Sequence, residues 1–199
     1  MARDKAAQLK ALEKQVRDAT DLPLYAYRQE NAYHAVVGEG SPVAQVMFIG
    51  EAPGKQEALK GRPFVGAAGR MLDGLLESIG LARGDVYITN ILKDRPPDNR
   101  APQPKEIEAY TPYLRKQIEI IQPRVIVTLG RFAMDFILGE FRMPEQGGKI
   151  TELHGRPLKA KASFGSLVVL PLFHPAFALY RRDQKETLEK DFQALREYV

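Results

Sequence analysis

The sequence Val43-Ala-Gln-Val-Met-Phe-Ile49 runs directly into Gly50-Glu-Ala-Pro-Gly54, and this junction carries the clearest sign of the fold. The first half is apolar and contains β-branched residues, which is typical of a buried strand. The second half is a tight, glycine-bounded loop that holds a carboxylate, Glu51. A polar group directly after a buried strand predicts a functional site at the edge of a sheet.

Strands and helices alternate on both sides of this junction. Further apolar strands are predicted at residues 85–92, 124–129 and 167–172, and helices at residues 2–18, 71–79, 105–121 and 186–198. Near-continuous apolar strands that alternate with helices indicate a parallel sheet covered on both faces. We therefore predict a three-layer α/β/α fold with a central, mainly four-stranded parallel sheet. It forms a single domain over residues 1–199 with an N-terminal helix at about residues 2–18.

The ends of the predicted strands suggest where a ligand binds. In an open parallel sheet the carboxyl ends of the strands share one edge, and ligands bind just outside it. The four strands run into Gly50-Glu51, Thr89-Asn90, Leu129-Gly130 and His174-Pro175. Three of these four places bring a polar, reactive side chain to the same edge, which points to a catalytic or binding site there.

Composition excludes several classes of function. The 199 residues are 44% hydrophobic and 27% charged, as in ordinary folded proteins. There is no cysteine, which excludes disulfides, thiol catalysis and thiolate metal sites, and three histidines are few for a metal site. The P-loop spacing is absent. A net charge of +4 fits a polyanionic partner only weakly. A charged N-terminus and the lack of a long apolar run predict a cytoplasmic protein without membrane contact.

Four motifs occur together in one order. They are Gly-Glu-Ala-Pro-Gly at 50–54, Gly-Arg-Pro-Phe-Val-Gly at 61–66, Thr-Asn-x-x-Lys-x-Arg-Pro-Pro-x-Asn-Arg at 89–100, and His-Pro-Ala at 174–176. As a set they resemble the family 4 uracil-DNA glycosylases over about residues 40–199. The resemblance implies a monofunctional enzyme of base excision repair. Such an enzyme flips uracil out of DNA, hydrolyses its N-glycosidic bond and leaves an abasic site.

The resemblance also implies roles for individual residues. Phe64 is expected to stack on the flipped base, and Asn90 to read its polar edge. His174 is expected to hydrogen-bond O2 of the base as the glycosidic bond breaks. Glu51 is expected to orient water or to stabilise the cationic sugar. Glu51, Asn90 and His174 are thus the expected catalytic residues.

Other residues are expected to surround the base or to contact DNA. Gly50, Ala52 and Glu57 complete the expected base pocket, with Glu57 crowding the C5 side so that thymine is disfavoured. The expected DNA contacts are Lys93, Arg95, Arg100, Pro175, Ala176, Leu179, Tyr180, Arg181 and Arg182. Leu179 or Tyr180 is expected to fill the space that the flipped base leaves in the duplex.

The sequence departs from the family in ways that change what is expected. Family 4 members usually carry four cysteines that hold a 4Fe-4S cluster, whereas the matching positions here are Ala19, Leu22, Asp94 and Tyr110. We therefore predict no cluster and no other cofactor, with packing of Tyr110 and Leu22 in its place. No histidine-bearing basic loop is inserted after Asn90. Turnover is therefore expected rather than covalent trapping of DNA.

Alternatives to uracil excision remain open at this point. The same fold can act on another base, such as hypoxanthine, xanthine or a mispaired thymine. A non-catalytic DNA-binding relative and a hydrolase of small nucleosides are two further hypotheses. The favoured partner is uracil-containing DNA, single- or double-stranded, bound by a monomer.

Overall fold

The structure is a computed structural model, and it describes residues 2–179 and 182–198. The strands are β1 Glu39–Gly40, β2 Val46–Gly50, β3 Tyr87–Asn90, β4 Val125–Leu129, β5 Leu158–Ala162 and β6 Gly165–Leu172. The α-helices are α1 Ala2–Asp18, α2 Tyr25–Glu30, α3 Lys55–Lys60, α4 Ala67–Ser78, α5 Pro104–Ile121, α6 Arg131–Glu140, α7 Ile150–Leu153 and α8 Arg182–Phe192. Within these residues, no helix is both long enough and apolar enough to cross a membrane.

The six strands form one sheet in the order β1-β3-β2-β4-β6-β5. The inner four strands are parallel, and β1 and β5 add an antiparallel strand at each edge. This arrangement confirms the predicted α/β fold with a mainly parallel central sheet. The register places Gly50 beside Asn90 and Leu129 beside Leu172, so the carboxyl ends of the four parallel strands lie at one edge.

Both faces of the sheet are covered by helices. As a result, β2 and β4 are buried along their whole length. Met47 and Ile49 of β2 face one core, which includes residues of α1, α5 and α6. Val46 and Phe48 face the other core, which includes residues of α4 and α8. The Phe48 ring stacks on Phe192 of α8 with centroids 5.7 Å apart. Strands that are apolar on both faces therefore produce the three layers.

Several elements were not predicted from the sequence. Strand β5 was missed because two exposed lysines alternate with residues that are buried or partly buried, so it forms no apolar run. Helix α6 and the short elements β1, α2, α3 and α7 were also missed. The helix predicted at 186–198 is α8, which ends at Phe192 and is followed by a 3-10 turn, Gln193–Glu197.

Candidate active site

The carboxyl ends of the four parallel strands lie at one edge of the sheet, as the sequence predicted. Gly50 at the end of β2 pairs with Asn90 at the end of β3. Gly130 follows β4, and its amide donates to the carbonyl of Leu172 in β6 at 2.8 Å. A Cβ atom on Gly130 would lie 3.3 Å from Cβ of His174. The ends of all four parallel strands, and with them Asn90 and His174, therefore meet in one small region.

Gly50 allows two of the expected site residues to meet. A Cβ atom at this position would lie 2.4 Å from Oδ1 of Asn90 and 2.8 Å from Cζ of Phe64. Asn90 is 2% exposed and Phe64 is 6% exposed. In the described part of the chain, the side-chain amide of Asn90 has no hydrogen-bond partner. A buried amide normally finds a partner, so this donor and acceptor pair is available to a ligand.

The loop that carries Phe64 is held from two sides. Phe64 has a left-handed backbone, with φ of 48°. A Cβ atom on Gly69 would lie only 1.8 Å from the Phe64 carbonyl oxygen, so glycine is needed there. Oε1 of Glu57 accepts from the amides of Val65 and Gly66 at 2.9 Å each, at the start of α4. Glu57 therefore shapes the Phe64 loop, a role that the sequence did not suggest.

His174 is held as a neutral hydrogen-bond donor. Its Nδ1 accepts from the amide of Ala176 at 3.1 Å, which places the proton of the neutral ring on Nε2. Burial lowers the pKa of His174 to about 4, although the charge of Glu57 acts in the opposite direction. The residue is partly buried, and its ring stacks on Phe64 with centroids 5.6 Å apart. Near neutral pH the ring can therefore donate through Nε2 beside Phe64.

Glu51 lies in the loop after β2 and is partly buried. Burial raises the pKa of its carboxyl group, and the charge of Arg131 partly opposes this shift. Arg131 is the first residue of α6 and was missed by the sequence analysis, although the strand end just before it, at Gly130, had been singled out. In the described residues the Glu51 carboxylate has no hydrogen-bond partner, so it is free to contact a ligand or water.

A cavity of about 190 Å³ opens at this edge of the sheet. It is lined by Glu51, Ala52, Pro53, Gly54, Pro96, Asn99, Arg100 and His174. Phe64 and Asn90 are not part of this lining, but Phe64 stacks on His174 and Asn90 lies next to Gly50, just before the lining loop. The cavity and the buried pair therefore form adjoining parts of one site, with His174 in contact with both.

Lys93 does not lie where a DNA contact requires it. Its side chain is fully buried, and Nζ donates to Thr89 Oγ1, the Asn90 carbonyl and Gln117 Oε1. The predicted phosphate contact is therefore wrong for Lys93, because its ammonium group faces the interior.

The other two basic residues of this segment differ in exposure. Arg95 is 9% exposed and donates to Asn99 Oδ1 at 2.8 Å and to the Tyr33 hydroxyl at 3.0 Å, so it has little surface left for a phosphate. Arg100 has a side chain that is 35% exposed and pairs with Glu106 at 2.5 Å. Since Arg100 also lines the cavity, it is the better placed of the two for a DNA contact.

The segment after β6 forms a 3-10 turn, Pro175–Ala178. Pro175 is buried, Ala176 is exposed and Leu179 is partly buried. Phe177 is 42% exposed and stacks on Phe173 with centroids 4.5 Å apart. The sequence analysis missed Phe177, although an aromatic residue in a loop beside the site motif is a usable signal. Tyr180 and Arg181 lie outside the described residues, as does the side chain of Arg182.

The four positions at which the family usually has cluster ligands do not fit an iron–sulfur cluster. Such clusters need thiolates, with histidine as the main substitute. Here the Tyr110 hydroxyl donates to Asp94 Oδ2 at 2.6 Å, and Arg28 donates to Asp94 Oδ1 at 3.1 Å. Leu22 is buried in the same hydrophobic core as Tyr110, and the partly buried Ala19 packs against that core. Elsewhere in the described residues, no group of histidine, cysteine or acidic side chains could hold a metal ion.

Comparison with known proteins agrees with this geometry. A model of the uracil DNA glycosylase superfamily matches residues 37–197. The chain belongs to this superfamily. It is 47% identical over 165 residues to a type-4 uracil-DNA glycosylase of Sulfurisphaera tokodaii, over 82% of this chain and 74% of that protein.

Two further relatives carry the same description. The type-4 uracil-DNA glycosylase of Archaeoglobus fulgidus is 47% identical over 81% of this chain and 80% of its own length. That of Saccharolobus solfataricus is 41% identical over 92% of this chain and 82% of its own length. These matches confirm the resemblance drawn from the four motifs. All four motifs fall inside the matched region of the superfamily, whereas Ala19 and Leu22 precede it.

The clearance at Gly50 predicts an effect on stability. Gly50→Ala pushes a Cβ atom against Asn90 and Phe64, so we expect a loss of about 1–3 kcal/mol in the free energy of unfolding. Gly74→Ala is the matched control, because its Cβ meets nothing within 4 Å and alanine favours a helix. Urea unfolding of both variants measures the change in the free energy of unfolding. Equal stability of the two would contradict the close approach at Gly50.

The buried ion pair predicts a second effect on stability. Arg28→Met leaves the Asp94 carboxylate buried without its cation, so we expect a loss of roughly 3 kcal/mol or more. The control is Arg115→Met, whose side chain is 56% exposed and pairs with Glu140 at the surface. Its loss is expected to stay below about 1 kcal/mol. Thermal unfolding of the two variants compares them, and similar midpoints would show that the buried pair adds nothing.

The state of His174 predicts how stability changes with pH. The folded pKa of about 4 is below the ordinary value of 6.5, so between these pH values only the unfolded chain binds the proton. The free energy of unfolding therefore falls as the pH falls through this window, by on the order of 2 kcal/mol after allowance for partial exposure. Urea unfolding at several pH values should show a smaller fall for His174→Gln. A fall as large as that of the unmodified protein would argue against a neutral His174.

Proposed function

We propose that this chain removes uracil from DNA by hydrolysing the N-glycosidic bond, which leaves an abasic site. One observation carries the proposal. The unpartnered amide of Asn90, the ring of Phe64 and the neutral donor on His174 lie together at one sheet edge. Membership of the uracil-DNA glycosylase superfamily supports it.

Asn90 and Phe64 are the proposed base-recognition residues. A base inside a duplex is out of reach, so the target nucleotide must be flipped into the site. The Phe64 ring offers an apolar face on which a planar base can stack. The Asn90 amide accepts from N3–H of uracil and donates to O4. Cytosine presents the opposite pattern of donor and acceptor there, so it is refused.

His174 is the proposed group that stabilises the leaving base. When the bond between C1′ and N1 breaks, its electron pair passes to the base and negative charge builds up on O2. The Nε2–H of His174 donates to O2, and one preorganised donor of this kind is typically worth ~3–4 kcal/mol. A neutral ring suits this task because the hydrogen bond forms without transferring a proton.

Glu51 is the proposed partner of the sugar and of the attacking water. Loss of the base leaves a cationic sugar, and a water molecule then adds to C1′ and loses a proton. A carboxylate at the cavity wall can stabilise the cation, and it can also orient the water and accept its proton. The unpartnered carboxylate of Glu51 and its position in the cavity wall support both roles.

The surface around the cavity is the proposed contact with DNA. It comprises Arg100 at the cavity and Ala176, Phe177 and Leu179 in the segment that follows His174; Tyr180, Arg181 and Arg182 remain contacts expected from the sequence alone. Apolar side chains such as Phe177 and Leu179 are suited to fill the space left by a flipped base. Glu57 remains the proposed neighbour of the C5 side of the base. The proposal includes a single domain that acts as a monomer in the cytoplasm.

Uracil excision can be measured directly. The purified protein is incubated in EDTA with labelled single-stranded and duplex DNA that carries one uracil, and alkali then cuts the strand at any abasic site. We expect cutting at uracil, reduced about 100- to 1000-fold by His174→Ala and strongly reduced by Asn90→Ala. Asn31→Ala and His34→Ala change exposed residues of the same types and should keep full activity.

Matched substrates separate the alternatives. Cutting only at hypoxanthine, xanthine or mispaired thymine would keep the reaction and change the base. DNA binding without cutting at any base would replace the proposal with a non-catalytic DNA-binding protein. Strong competition by free deoxyuridine would instead favour a hydrolase of small nucleosides.

A further inference from the structure

Lys93 is a fully buried lysine next to the proposed base-recognition residue. Its Nζ lies 2.7 Å from Thr89 Oγ1, 2.7 Å from the Asn90 carbonyl oxygen and 2.6 Å from Gln117 Oε1. An ammonium group has three N–H donors, and here each has one acceptor. The proposed reaction as described above gives no part to this residue.

The acceptors of Lys93 are themselves fixed by other buried groups. The Thr89 hydroxyl donates to the carbonyl of Val37 at 2.7 Å. The Gln117 amide donates to the same carbonyl at 2.8 Å and to the Tyr87 hydroxyl at 3.0 Å. Lys93 therefore joins β3, α5 and the segment before β1 in one network. Because Thr89 and Gln117 are also fully buried, the position of Nζ is closely determined.

Lys93 fixes one side of the peptide group that follows Asn90. The carbonyl of Asn90 accepts from Lys93 Nζ at 2.7 Å, and the amide of Ile91, in the same peptide group, donates to the Gly50 carbonyl at 2.9 Å. Both polar atoms of this planar unit are therefore held. The side chain of Asn90 has no partner of its own in the described residues, so the backbone and the packing around it determine where its amide points.

We propose that Lys93 is a positioning residue that orients the base-reading amide of Asn90 by holding its carbonyl group. The proposal rests on the function proposed above. Burial also lowers the pKa of Lys93 well below its usual value, because enclosing a charged ammonium group is costly. A methionine would fill nearly the same space without donating to Asn90.

The test compares Lys93→Met with a control that disturbs a neighbouring buried network. Tyr110→Phe removes the hydrogen bond to Asp94, the residue after Lys93, and leaves Asn90 untouched. Two quantities are measured at a temperature at which both variants are folded. They are the single-turnover rate of uracil release with saturating enzyme, and the dissociation constant for DNA that carries a stable abasic-site analogue.

For Lys93→Met we expect a single-turnover rate lower by on the order of 100-fold, as for a reacting group displaced by about 1 Å. Its dissociation constant for abasic-analogue DNA should stay unchanged, because that probe offers no base to Asn90. Tyr110→Phe should lose stability and keep the rate of the unmodified protein. A lower rate in both variants would show a general effect of buried networks and would overturn the proposal.

A chemical rescue adds a measurement that distinguishes positioning by the amine of Lys93 from a purely structural role of its side chain. The chain has no cysteine, so Lys93→Cys introduces a single thiol. Alkylation of the unfolded variant with 2-bromoethylamine, followed by refolding, restores a primary amine on a side chain of lysine length. Alkylation with 1-iodopropane gives the same length without the amine. This pair also serves if Lys93→Met does not fold.

The aminoethyl form should recover most of the rate, and the propyl form should not. Equal rates for the two folded forms would overturn the role of Lys93 while leaving uracil excision in place. Unmodified protein that has been unfolded and refolded in the same way is the control. If unmodified protein that was never unfolded releases no uracil, the function proposed above fails and the role of Lys93 fails with it.

Discussion

The site depends on the close approach of three segments around Gly50. The end of β2 has no side chain there, so the Asn90 amide from β3 and the Phe64 ring from the next loop can occupy the space where a Cβ would be. The parallel register brings Gly50 beside Asn90, and Glu57 and Gly69 fix the loop that carries Phe64. The positions of the proposed base-recognition residues, Asn90 and Phe64, thus depend on the backbone geometry around Gly50.

Two buried polar networks lie behind this edge, and they begin at consecutive residues of opposite charge. Lys93 bonds to Thr89, Gln117 and the Asn90 carbonyl, whereas Asp94 bonds to Arg28 and Tyr110. The first network holds the end of β3, and the second ties α2 and α5 to the loop that follows. Buried charges are costly unless hydrogen bonds compensate them, so both networks restrict this segment to one arrangement.

The sequence predicted the parts of the fold that follow from apolar patterning. The inner strands read as apolar runs because both of their faces are buried, and the residues after those strands located Asn90 and His174 at the site edge. Strand β5 was missed because one of its faces is exposed. Lys93 was misplaced because a lysine in a polar segment normally lies at the surface. Its burial depends on acceptors such as Gln117, 24 residues away, and local patterns do not reveal such contacts.

The hydrogen-bonded cluster of Arg28, Asp94 and Tyr110 has a consequence for the conditions under which the protein can fold. The hydrogen bonds among these side chains are made by the chain itself, so this region needs no iron or sulfide to form them. A hydrogen-bonded ion pair is also not destroyed by peroxide or molecular oxygen, which attack exposed iron–sulfur centres. Expression in iron-starved or oxidatively stressed cells would therefore leave this region of the molecule intact.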